Sequence, residues 1–79
     1  MPRYFFHLET AEAKLTDEEG MALPDAEAAW YQAVRSARDL IRADLCLGSS
    51  WQGRRLEIED EQGSSVDHLL FEDVASYAF

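Results

Sequence analysis

Apolar and polar residues alternate over Arg3 to Glu9. Tyr4, Phe6 and Leu8 fall on one side, Phe5 and His7 on the other between Arg3 and Glu9. That is the pattern of a strand with one face in a core, over 3–9. Thr10 to Ala13 connects it to a short returning strand, 14–17. Asp17-Glu18-Glu19-Gly20 then reads as a turn, with Asp suited to its first position and Gly to its last. Past a gap, Arg54 to Asp60 alternates again, with Leu56 and Ile58 on one side and Arg55, Glu57 and Glu59 on the other. Asp60-Glu61-Gln62-Gly63 is a second acidic turn, leading into a strand over 65–71. There Val66 and Leu70 compete with Leu69 and Phe71 for the inner face, and the pattern leaves the phase open. Val74, Tyr77 and Phe79 are apolar enough to dock, but they fall in a short terminal segment that the pattern assigns to no element.

Between the two strand pairs the period changes from two to three and four. Ala26, Ala29, Trp30, Ala33, Val34, Ala37, Ile41 and Leu45 mark one stripe of a helix over 26–47, broadened by Leu40. Pro24 disfavours helix at Leu23, Asp25 is placed to cap the first turn, and Glu27 adds negative charge at the positive end of the dipole. Gly48 suits the left-handed position after the last turn. Such a helix is about 33 Å long at 1.5 Å per residue, enough to cross a small sheet, and its alanines allow a close approach with Trp30 as the large anchor.

The order strand, strand, helix, strand, strand predicts a two-layer α+β domain. A four-stranded, mainly antiparallel sheet carries one long helix on one face. The opposite face, with Phe5 and His7, is left for water or for another molecule. A second copy of the chain is the simplest occupant to expect.

Length and charge narrow the partners. A chain of 79 residues supports one core, so one domain is expected over 1–79. Sixteen acidic against seven basic residues give a net charge of −9, which disfavours nucleic acid and anionic membranes and favours a basic protein or cations. The single cysteine, Cys46, has no internal partner, and no apolar run approaches a membrane span. A soluble, cytoplasmic chain is therefore expected.

No arrangement of residues stands out as catalytic. His7 and His68 are not spaced as a ligand pair, Cys46 reads as a buried residue, and no glycine-rich phosphate loop is present. No metal, cofactor or catalytic residue is assigned. The two acidic turns lack the alternating ligands of a calcium loop and read as turn chemistry. The distinctive local feature is on the helix. Tyr31, Arg35, Arg38 and Arg42 share one flank, collecting three of the seven cations, while Arg35 and Asp39 are spaced for an ion pair one turn apart. This flank is a second candidate interaction surface beside Phe5 and His7 on the uncovered sheet face.

Met1-Pro2-Arg3-Tyr4-Phe5-Phe6-His7-Leu8, the Asp17-to-Gly20 turn and Leu23-Pro24-Asp25 before an alanine-rich helix resemble a group of uncharacterised short bacterial proteins, a domain of unknown function. The likeness continues through Arg55, Glu57, Ile58 and the Asp60-to-Gly63 turn. Members often carry a glycine turn where this chain has Thr10 to Ala13. The resemblance implies a shared fold and no assigned activity. A slighter likeness of layout, through Gly20 and Leu23-Pro24-Asp25, is to antitoxins of the HicB kind, which are often acidic and bind a basic toxin. The leading expectation is a non-enzymatic interaction module that forms a homo-oligomer, with a dimer as the simplest case. The alternative is an antitoxin-like or regulatory subunit masking a basic protein, and a small enzyme comes third.

Overall fold

The computed structural model describes residues 1–47 and 53–78, and side-chain surroundings for 1–43 and 53–75. The chain runs β1 (Arg3–Glu9), β2 (Lys14–Leu15), β3 (Met21–Ala22), α1 (Ala26–Leu47), β4 (Arg55–Glu59), β5 (Ser65–Leu70) and α2 (Phe71–Ala78). It is an α+β fold, an open antiparallel sheet with one long helix packed against it. The sheet order is β2-β1-β4-β5, with β3 also on β1. Two elements exceed the ββαββ expectation: the two-residue strand β3, and a second helix where Val74 and Tyr77 had no assignment.

The outer edge of β1 explains the extra strand. β2 pairs with one end of β1, Leu8 against Leu15, and β3 with the other, Tyr4 against Met21. Between them the chain leaves the ladder, so β2 stops at Leu15 and does not reach 17. Asp17 takes over the edge with its side chain. Its Oδ2 accepts the Phe6 N–H at 3.1 Å, and its own N–H donates to His7 Nδ1 at 3.0 Å. The carboxylate's other oxygen accepts from Glu19 and Gly20 N–H, which closes the turn. Gly20 has φ +69°, and a Cβ there would lie 2.8 Å from the Tyr4 carbonyl oxygen. Asp60 builds the second acidic turn in the same way, its Oδ1 accepting from Gln62 and Ser64 N–H at 2.9 Å each.

α1 begins where the capping residue predicts, with Asp25 Oδ1 accepting the Ala28 N–H at 2.8 Å. Ala29, Ala33, Ala37 and Ile41, spaced by four, are wholly buried. This stripe is narrower than the pattern suggested. Ala26 is exposed, Trp30 and Val34 are half-buried, and Leu40 lies at the margin with 38% exposure. Three methyl groups in the contact row let the helix axis come close to β4 and β5, against which it packs together with α2. Tyr4, Leu56, Ile58, Leu69, Phe71 and Val74 complete the core.

The phase of β5 is settled by pairing. A register shift at Ile58 and Glu59 leaves Val66 between the paired residues Ser65 and Asp67. Leu69 is then buried and Leu70 is 41% exposed. Phe71 does reach the core, but as the first residue of α2 and not the last of the strand. Its N–H donates to the Arg54 carbonyl at 3.0 Å, which carries the β4–β5 alignment one step past the strand. The expected helix stop at Gly48 and the side chains of Leu45, Cys46, Tyr77 and Phe79 lie outside the described residues.

Candidate functional site

β1 and β4 run antiparallel with Phe5 against Glu59, His7 against Glu57 and Glu9 against Arg55. Because paired residues share a face, these six side chains project together on the side of the sheet away from α1. His68 lies opposite Glu57 and Leu70 opposite Arg55, so β5 widens the same face. Arg3 by alternation and Lys14 by its pairing with Glu9 complete it.

The face is laced by ion pairs. Arg55 Nε donates to Glu9 Oε2 at 2.7 Å, and its Nη2 lies 3.8 Å from Glu57 Oε2. Lys14 Nζ is 3.8 Å from Glu57 Oε1. The Arg55 hydrogen bond holds the Glu9 carboxyl below the usual carboxylate range and raises the guanidinium further. Lys14 and Arg55 thus pair with Glu9 and Glu57, and with Arg3 and Glu59 on the same face the charged strand residues there sum to zero.

His7 sits within this face yet is only 4% exposed. Glu59 Oε1 lies 2.6 Å from its Nε2, while its Nδ1 accepts from Asp17 N–H. A nitrogen that accepts a backbone N–H carries no proton, so the geometry selects the tautomer with hydrogen on Nε2, donated to Glu59. Both ring nitrogens are engaged, which suits a ring that ties the Asp17 segment to β1 and β4. Burial works against the charge of the Asp17 carboxylate. The hydrogen bonds from Phe6, Gly20 and Glu19 N–H outweigh it and hold its pKa below the ordinary value.

The other candidate residues lie elsewhere. Phe5 is half-buried beneath Gly20, its ring carbons 2.9 Å from where a Cβ on that glycine would lie. Tyr31, 63% exposed, lines a shallow depression of about 210 Å³ on α1 with Val34, Arg35 and Arg38. That flank lies on α1, apart from the sheet face that carries Phe5 and His7. No ion pair joins Arg35 to Asp39 among the described residues, whereas Arg42 is engaged within the chain.

Sequence reasoning passed over Glu9, Lys14, Asp17, Arg55, Glu57 and Glu59 as members of a site. The alternating charges of Arg55, Glu57 and Glu59 were a visible signal. Their partners became identifiable only with the β1–β4 register. Among the described residues, no group of three or more His, Cys, Asp or Glu is placed to hold a metal ion, and no helix is long and apolar enough to cross a membrane.

Fold and surface together define a small α+β domain with an open, ion-paired sheet face. The chain belongs to a family described as a domain of unknown function, DUF6894, whose model matches residues 3–72. No curated protein and no solved structure matches it.

Proposed function

We propose that this chain is a non-enzymatic protein-interaction module that self-associates through the sheet face opposite α1. The observation that carries the reading is the charge balance of that face. The molecule as a whole bears −9, so most of its surface repels a second copy. The face of β1, β2, β4 and β5 sets Arg3, Lys14 and Arg55 against Glu9, Glu57 and Glu59 and adds the exposed Leu70, while Phe5 is half-buried beneath Gly20. Two copies can meet there around a two-fold axis without opposing like charges.

The edge of β5 away from β4, unpaired among the described residues, is the less suitable route. Asp67 Oδ1 accepts the His68 N–H at 2.8 Å, which occupies a backbone donor that an added strand would need and places a carboxylate beside it. Engagement of both His7 nitrogens supports a binding role over an acid–base one. The unpaired cysteine supports a cytoplasmic setting.

Sedimentation equilibrium across micromolar concentrations tests this. A dimer is expected, and Leu70→Glu, which plants a carboxylate on the face at an exposed position, should weaken it at least about tenfold. A strict monomer at every concentration overturns the proposal, as does a dimer indifferent to Leu70→Glu.

A second reading, an antitoxin-like subunit masking a basic protein, is favoured by the convergence of the two acidic turns. Arg3 donates its N–H to Glu61 Oε1 and its Nη1 to the Glu19 carbonyl, each at 2.8 Å, which gathers both turns at one end of the sheet. A small basic protein encoded beside this chain and captured by it at low salt is the expected result. Recovery of no basic protein counts against it.

A further inference from the structure

We propose that the flank of α1 formed by Tyr31, Val34, Arg35 and Arg38 is a docking surface for a short acidic segment of a partner protein. This surface is distinct from the sheet face, and the inference does not depend on self-association.

The ordinary explanation for cations on a helix is pairing along that helix, and here it fails. Arg35 is exposed and Arg38 half-buried, and neither forms an ion pair with a carboxylate among the described residues. Asp39 stands one turn from Arg35 without bonding it. Arg38 Nε is shielded from water and has no hydrogen-bond partner among the described residues. An unsatisfied buried donor costs about 1–3 kcal/mol, so turning that guanidinium onto an incoming carboxylate gives up no existing bond and relieves a deficit. Two guanidiniums one turn apart offer two planar forks, and Tyr31 and Val34 supply an apolar floor beside them.

Charge decides the kind of occupant. At physiological salt, fields decay over about 8 Å, so a segment of a few residues resting on this flank senses the two arginines more than the distant acids. A nucleic-acid backbone carries a charge about every 1.7 Å of duplex and extends well beyond the patch, onto surface that repels it. A compact run of Asp or Glu side chains matches both the size of the depression and its charge.

The test uses the full chain labelled with 15N, titrated with an eight-residue peptide of alternating Glu and Ala. Expected are shifts confined to Tyr31–Arg38 amides and the arginine Nε–H signals. They should weaken with added salt and lose about tenfold in affinity in Arg35→Ala and again in Arg38→Ala, both with unchanged circular dichroism. Shifts centred on Arg3, Lys14 or Arg55, or affinities unaffected by either substitution, overturn the proposal. So does tighter binding of a single-stranded RNA octamer at the same flank. If the same amides shift on raising protein concentration without peptide, the occupant is a second copy and the proposal falls in that form.

Discussion

Replacing Gly20 by alanine isolates one contact on which the sheet depends. Gly20 and Gly63 occupy equivalent positions, each three residues after an aspartate whose side chain closes the turn, with φ of +69° and +78°. The left-handed conformation costs an alanine about 1–2 kcal/mol, offset by about 0.4–1 kcal/mol from a less free unfolded chain. At Gly63 nothing lies within 4 Å of the added Cβ, so that balance is the whole effect, about 1 kcal/mol. At Gly20 the Cβ would lie 2.8 Å from the Tyr4 carbonyl oxygen and 2.9 Å from two carbons of the Phe5 ring. The ring can swing aside. The carbonyl cannot move freely, because Tyr4 is paired with Met21 on one side of β1 and its neighbour Phe5 with Glu59 of β4 on the other. Relieving such an overlap in packed surroundings adds about 1–3 kcal/mol. Gly20→Ala should therefore cost about 2–4 kcal/mol against about 1 for Gly63→Ala. For a domain of this size each kcal/mol lowers Tm by about 4–8 °C, so the two variants should melt at least about 4 °C apart. Urea unfolding followed by far-UV circular dichroism measures both. Equal losses at the two sites, with unchanged slopes, would show that the close approach at Tyr4 carries no energetic weight.

Three further outcomes follow from the same geometry. Asp17→Asn should cost about 1–3 kcal/mol near neutral pH, since an amide cannot accept at both oxygens from Phe6, Glu19 and Gly20 N–H. Asp17 has its folded pKa below the ordinary 3.8, so its charge stabilises the fold above that value and the contribution is lost as the pH falls below about 4. A urea series from pH 6 to pH 2.5 should show a flatter acid decline in the asparagine variant, and identical slopes would refute the assignment. Asp25→Ala removes the acceptor for Ala28 N–H and should cost about 1 kcal/mol by thermal melting; an unchanged Tm would mean the α1 terminus is satisfied some other way. Phe71→Ala empties a wholly buried site between β5 and α2 and should cost about 3–5 kcal/mol. That variant should melt at least about 12 °C below the parent, and a cooperative melt near that of the parent would contradict the placement of α2 in the core.

The local pattern was enough for β1, α1 and β4, because each repeats its own period over several residues and α1 carries its cap in Asp25. It was enough also for the two-layer arrangement, since one helix stripe can cover only one sheet face. It was insufficient at Thr16 and Asp17. There a side chain and not the backbone closes the edge of β1, and nothing in the residue order marks that Asp17 meets Phe6 and His7. It was insufficient again at Val66 to Phe71, where one extra residue at the register shift changes which side chains turn inward. The interaction surfaces divide the same way. The alternation of Arg55, Glu57 and Glu59 was legible, and so was the row Tyr31, Arg35, Arg38. That Glu9 lies against Arg55, that Glu59 accepts a hydrogen bond from His7, and that Arg35 and Asp39 form no ion pair with each other are long-range or rotameric facts. Short-range periodicity follows from where successive side chains point along one helix or strand. Register and side-chain partners follow from which elements meet, and only the packed chain decides that.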